Sequence, residues 1–134
     1  MLYFIHAFRG DRMLKITGKV IKGQSYGQKI GFPTANLDRR QYRKAKQKIK
    51  LGVWAGYAHI LSKRYKAGVV IGPFDQRGLP KIEAHLLAFR GNLYGKTLQL
   101  TLTKYLRPFK KFSSETVLKT QIKKDILQIR KILK

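Results

Sequence analysis

Between Thr97 and Leu133 the hydrophobic period changes once, and that change limits the folds open to the chain. In Thr97–Arg107, Leu98, Leu100, Leu102 and Leu106 fall on one side of an alternating run. Thr97, Gln99, Thr101, Thr103 and Tyr105 fall on the other. A period of two marks a half-buried strand. Past Pro108 the apolar residues Leu118, Ile122, Ile126, Ile129 and Leu133 are spaced by 4, 4, 3 and 4, which is one face of a helix. Ser113 or Ser114 is the expected N-cap, Glu115 sits where the helix dipole favours an anion, and Lys131 and Lys134 sit where it favours cations. Upstream, Leu14–Lys22, Leu51–Leu61, Tyr65–Gly72 and Lys81–Phe89 read as strands, with an extended Phe32–Leu37. Five or six short strands followed by one helix, at about residues 113–133, predict an all-β chain with a C-terminal α-helix: a small closed antiparallel β-barrel. Closure removes exposed strand edges, which a small sheet has few other means to protect.

The length of 134 residues admits one domain. Residues 1–13 read as a lead-in segment and 14–134 as the barrel with its helix. The basic run 39–50 has too few apolar residues for a buried face and reads as a surface loop or a short exposed helix. Cysteine is absent, which excludes disulfides, thiolate metal sites and cysteine nucleophiles and fits a cytoplasmic location. The longest uncharged run, Leu51–Ser62, is far short of the roughly 20 residues a membrane helix needs. Lys and Arg number 30 against 6 Asp and Glu, a net charge of +24. That balance favours anionic partners without choosing among nucleic acid, lipid and nucleotide.

Few residues can carry chemistry. The six acids lie at least eight apart in sequence and the three histidines show no HxxxH spacing, so no local metal motif exists. The loop from Gly23 through Gly27 to Gly31 suits an anion cradled by backbone N–H groups, and equally a hairpin turn. In Pro33-Thr-Ala-Asn36 a hydroxyl and a carboxamide two residues apart share a side. Both are hard oxygen donors for Mg²⁺ or phosphate, or the pair makes local turn bonds. Glu83 sits in the otherwise apolar Ile82-Glu-Ala-His-Leu-Leu-Ala-Phe89 and by alternation shares a face with His85, Leu87 and Phe89. A carboxylate there needs a partner; it is either a general base or half of an ion pair.

The segments Gly18-Lys-Val-Ile-Lys-Gly23, Gly31-Phe-Pro-Thr-Ala-Asn-Leu37, Gly52-Val-Trp-Ala-Gly56, Val70-Ile-Gly72, Ile82-Glu-Ala-His-Leu-Leu87, Leu93-Tyr-Gly-Lys96 and Tyr105-Leu-Arg-Pro108 occur in that order. Together they resemble the ATP-dependent riboflavin kinase (flavokinase) family over about residues 14–134. The resemblance implies a six-stranded Greek-key barrel with a C-terminal helix, and transfer of the ATP γ-phosphate to the ribityl 5′-hydroxyl of riboflavin to give FMN. It implies that the loop bearing Gly23, Gly27 and Gly31 covers the nucleotide phosphates, and that Thr34 and Asn36 hold Mg²⁺ and phosphate oxygens. It makes Glu83 the general base, and Tyr94 and Arg107 neighbours of the flavin.

Val70 replaces a small polar residue common in the family, the following loop 73–80 is short, and Ala88 and Asn92 stand where Asp is frequent. Many bacterial relatives fuse this module to an adenylyltransferase domain that makes FAD. The expectation here is a monofunctional kinase, with a separate FAD synthetase acting downstream, or an excised kinase domain. Two alternatives stand beside it: a flavin- or nucleotide-binding module without turnover, and a basic nucleic-acid-binding barrel motivated by Arg39–Lys50. The latter would bind non-specifically, since no RNP-like motif is present.

Overall fold

The computed structural model describes residues 14–22, 31–40 and 49–133. Six strands, β1 (Leu14–Ile21), β2 (Ala35–Leu37), β3 (Gly52–Ile60), β4 (Lys63–Phe74), β5 (Pro80–Leu86) and β6 (Thr97–Arg107), precede one described helix, α1 (Glu115–Ile132). The strands close into a barrel in the order β1-β2-β5-β4-β3-β6, and every pairing is antiparallel. This is the architecture the two hydrophobic periods predict. No described helix is long and apolar enough to cross a membrane. The lead-in segment 1–13 lies outside the described residues, as do Gly23, Gly27 and most of the basic run. Ile49, at the end of that run, is 5% exposed and joins the barrel core, so the run does contribute an apolar anchor.

The barrel interior is filled by alternate residues of each strand, among them Ile16, Val20, Val69, Ile71, Ile82, Leu98 and Leu100. A second cluster lies outside the barrel, where Ile129 of α1 and Leu133 just after it pack with Ala55 of β3 and Leu87 beyond β5. Gly68 makes this seating possible: a Cβ there would stand 3.1 Å from Ile129 Cδ1. Burying Ile129 at 1% exposure contributes about 2 kcal/mol. The N-cap is Ser114, whose Oγ accepts from Val117 N at 3.2 Å. Leu133 N donates to Ile129 O at the other end.

Two expectations of alternation fail. In β6 the register against β3 shifts twice, so that Leu102 faces Gly56, Lys104 faces Ala55, Tyr105 faces Trp54 and Arg107 faces Val53. Each bulge inserts a residue and re-aims those after it. Leu106 therefore leaves the line of Leu98 and Leu100 and packs in the outer cluster beneath α1. Tyr105 instead meets Trp54 edge-on at 5.3 Å and donates its hydroxyl to Leu51 O. In the Glu83 strand, pairing stops at Leu86. Ala88 adopts φ 61°, and the chain turns there. Phe89 packs against Tyr65 and the barrel core instead of sharing the Glu83 face.

Candidate active site

Lys81, Glu83 and His85 alternate with the buried Ile82, Ala84 and Leu86 of β5 and point out of the barrel. Opposite Glu83 lie Asn36 on β2 and Val70 on β4. Thr34, just before β2, donates from Oγ1 to Glu83 Oε2 at 3.0 Å. The Lys81 ammonium stands 3.1 Å from Oε1. The His85 Nδ1 lies 2.7 Å from Pro33 O, a carbonyl that can only accept, so this nitrogen carries the proton. His85 thus ties the Pro33–Asn36 segment to β5 and fixes Thr34 against Glu83.

Two cavities meet at Thr34. The first, of about 370 Å³, lies between the outer face of β4–β5 and α1; Phe32, Val70, Phe109, Phe112 and Ile122 give it largely apolar walls, with Glu83 on one side and Arg107 and Asp125 on the other. The second, of about 600 Å³, is more polar and runs from Lys22 past Pro33, Thr34 and Asn36 to the loop Arg90–Tyr94. A third hollow of about 390 Å³ joins Asn36, Arg39 and Lys81. The Thr34–Glu83–Lys81 cluster therefore stands where an apolar-walled site and a polar one adjoin.

The sequence-selected residues divide between the two sides. Thr34, Asn36 and Glu83 come together. Gly31 has φ +93° with open space at its missing Cβ, a left-handed turn position that favours glycine. Tyr94 and Arg107 do not come together. Tyr94 is 55% exposed, lines the same polar cavity as Asn36 and has Lys22 Nζ 5.6 Å from its ring centre. Arg107 lies in the apolar one. Its guanidinium donates through Nε and Nη2 to both carboxylate oxygens of Asp125, at 3.0 and 2.8 Å. Gln121 donates a further bond to Asp125 at 3.0 Å.

Sequence reading missed Asp125, Lys81 and the aromatic strap Phe109–Phe112. Asp125 was visible as a charge inside the apolar helical stripe, three residues after Ile122 and four before Ile129. Lys81 was visible as the residue two before Glu83 on the same strand face.

The oxygen donors fit a hard divalent cation. The Thr34 hydroxyl directs its proton to Glu83, which leaves its lone pairs free to face the polar cavity. Among the described residues the Asn36 carboxamide has no hydrogen-bond partner and lines that same cavity. No cluster of three or more carboxylates or histidines exists among the described residues. Such a site suits Mg²⁺, which keeps several waters and takes further oxygens from substrate phosphates.

The family model for riboflavin kinase (Flavokinase) matches residues 11–133. The chain belongs to the riboflavin kinase family. Human riboflavin kinase is 32% identical over 121 residues, with 87% of this chain and 78% of that protein covered. The bifunctional riboflavin kinase/FMN adenylyltransferase of Escherichia coli K12 is 38% identical over 119 residues, covering 86% of this chain and 36% of the relative. The chain thus spans less than two-fifths of the length of the bifunctional E. coli relative. A solved structure of a macrolide-efflux protein from Streptococcus pneumoniae superposes with a TM-score of 0.79 at 27% identity, covering 88% of this chain and 38% of that one. A crystal structure of riboflavin kinase from Trypanosoma brucei superposes with a TM-score of 0.67 at 24% identity, covering 89% of this chain and 78% of that one, and shares the fold.

Proposed function

We propose that the chain is a riboflavin kinase, transferring the γ-phosphoryl group of ATP to the 5′-hydroxyl of the ribityl chain of riboflavin. The observation that carries this reading is Glu83, held by Thr34 and Lys81 at the junction of an apolar-walled and a polar cavity. Family membership supplies the reaction class. The isoalloxazine ring occupies the cavity under α1, whose volume and few polar groups suit a neutral heteroaromatic. Arg107 and Phe112 wall it. The ribityl chain leads to Glu83, and the nucleotide lies on the polar side, covered by the loop bearing Gly23, Gly27 and Gly31, with Tyr94 beside it.

Glu83 accepts the proton of the 5′-hydroxyl as that oxygen forms its bond to the γ-phosphorus. The bond from phosphorus to the β–γ bridging oxygen breaks, and ADP departs with that electron pair. Thr34 and Asn36 would hold Mg²⁺, which would neutralise phosphate charge when bound. Lys81 balances the carboxylate charge. Phosphoryl transfer depends on positioning and charge neutralisation more than on covalent help from the protein, so so acid-poor a chain is sufficient.

The test is FMN formation from riboflavin and Mg·ATP, followed by chromatography, for the wild type and for Glu83→Gln. Turnover by the wild type and its loss in the variant, with riboflavin still bound, are expected. Flavin binding without turnover by the wild type would make the chain a binding module. Unchanged turnover in Glu83→Gln would remove Glu83 as the base.

A further inference from the structure

The phosphotransfer site leaves most of the +24 charge without a role. Its distribution is uneven. All five described acids pair with a cation: Asp38 with Arg40, Asp75 with Arg39, Glu83 with Lys81, Asp125 with Arg107 and Glu115 with Lys119. None of them lies on β1, β3, β4 or β6.

On the outer face of those four strands the pairing registers align side chains into rows, because directly opposed residues point to the same side of a sheet. One row runs Lys15, Thr101, Tyr57, Lys66 across β1, β6, β3 and β4. The next runs Thr17, Gln99, His59, Arg64. Lys19 extends the β1 edge, and Lys104 stands on β6 beyond Thr101. The intervening residues Ile16, Ala58, Ala67, Leu98 and Leu100 are buried in the barrel, so these rows are its exterior. Arg64 stacks on the Tyr57 ring, 4.1 Å from its centre. Along β4 the exterior reads Arg64, Lys66, then Gly68 under α1, then Val70 in the apolar cavity. The helix thus divides the exterior into an acid-bearing catalytic side and an acid-free basic side.

We propose that this basic face binds single-stranded nucleic acid through its phosphate backbone. Arg64 and Lys66, two residues apart on β4, stand about 7 Å apart and within a Debye length, while Lys15 on β1 stands about 14 Å from β4, three strand spacings, so that the two edges engage successive phosphates of one strand. Thr17, Gln99, His59 and Tyr57 offer hydrogen bonds to sugars and bases, Thr101 being covered at 8% exposure, and the Arg64–Tyr57 stack offers a planar surface for a base. The exposed large apolar side chains of the described residues do not include any member of the two rows, which disfavours a lipid surface. The exterior of a closed barrel is convex, a shape that a flexible single strand follows better than a rigid duplex does. The face is separate from both cavities, so this inference stands or falls apart from the kinase reading.

The test is fluorescence anisotropy of a labelled oligouridylate RNA, titrated at several salt concentrations. Two triple variants of equal charge change are compared with the wild type: Lys15→Gln/Arg64→Gln/Lys66→Gln on the face, and Lys123→Gln/Lys124→Gln/Lys131→Gln on the exposed side of α1. The face variant is expected to lose at least about tenfold in affinity and to flatten the log K against log salt slope by about 2. The helix variant is expected to change neither by more than a small fraction, and FMN formation to be unaffected in both. An equal loss in the two variants would overturn the proposal in favour of diffuse polyelectrolyte attraction. So would a wild type that fails to bind at physiological salt. Tighter binding to duplex than to single strand, or binding to phosphatidylserine vesicles that the face variant alone loses, would also overturn it.

Discussion

Glu83 and Asp125 both line the cavity under α1, and their surroundings differ in kind. Asp125 is on the helix, with its side chain 10% exposed; two nitrogens of Arg107 and the Gln121 amide occupy its oxygens. Glu83 is on the barrel, with its side chain 23% exposed, and holds one hydroxyl and one ammonium. A carboxylate already saturated by a bidentate guanidinium has little capacity left for a substrate proton, and its contribution is to fasten one element to another. A carboxylate with open lone pairs beside a cavity can accept one. On the proposed function the same chemical group serves as a fastening in one place and a base in the other, according to how many of its acceptor sites the protein occupies.

The largest effect that would break this contrast comes from the fastening. Asp125→Ala leaves the half-buried Arg107 without its carboxylate, with only Pro108 O still accepting from it, and is expected to lower stability by about 2 kcal/mol, read by urea denaturation. Arg107→Met/Asp125→Leu should recover most of that loss; a double variant as unstable as the single would show that the charges do more than hold α1 in place. Next comes the base. Glu83→Gln should lower kcat by about 100-fold or more while leaving the denaturation midpoint nearly unchanged. If instead stability falls and kcat does not, the two carboxylates have the same job. Thr34→Ala should lower kcat about tenfold and raise the Mg²⁺ concentration needed, with riboflavin affinity kept. An effect confined to flavin affinity would move Thr34 off the nucleotide side.

The smallest effect belongs to a carboxylate outside both cavities. The backbone N–H of Leu79 and then that of Arg77, with Arg39 beside it, hold the Asp75 carboxyl below its ordinary value. Its folded value being depressed, its contribution is complete above the unfolded carboxylate pKa of about 3.9 and is lost as pH falls through the folded value. Asp75→Asn should therefore lower Tm slightly at neutral pH and not at all in strong acid. A difference that persists in acid would assign the loss to the turn geometry instead of the charge.

Most of the barrel was legible because its strands and helix each bury one face, and burial writes its period into the residues. The bulges of β6 were not. Thr103 and Leu106 look like ordinary alternating residues, and only the pairing with β3 reveals that the count is off. Thr34, Asn36 and Glu83 were legible as polar groups in settings that call for a reason. Asp125 and Arg107 are 18 apart in sequence, and nothing local links a strand-end arginine to a charge in a helical stripe. The separation of Tyr94 from Arg107 was equally hidden, since both sit at the ends of β6's neighbourhood in sequence while the barrel carries them to different openings.

Closure of the barrel has a consequence for the time over which the site holds its shape. Glu83 sits on a strand bonded on both sides, to β2 and to β4. Among the described strands there is no free edge from which β5 could peel. The β5 amide protons bonded to β4, and those bonded to β2 around Glu83 and Ala84, should then exchange with solvent only when the barrel opens, whereas α1, seated on one face by a few apolar contacts and one ion pair, can lift at a lower free energy. The wall that carries Glu83 is thus the slow part of the molecule and the wall formed by α1 is the fast one. On the proposed function, substrate would enter and product leave by motion of the helix side alone, without Glu83 losing its register.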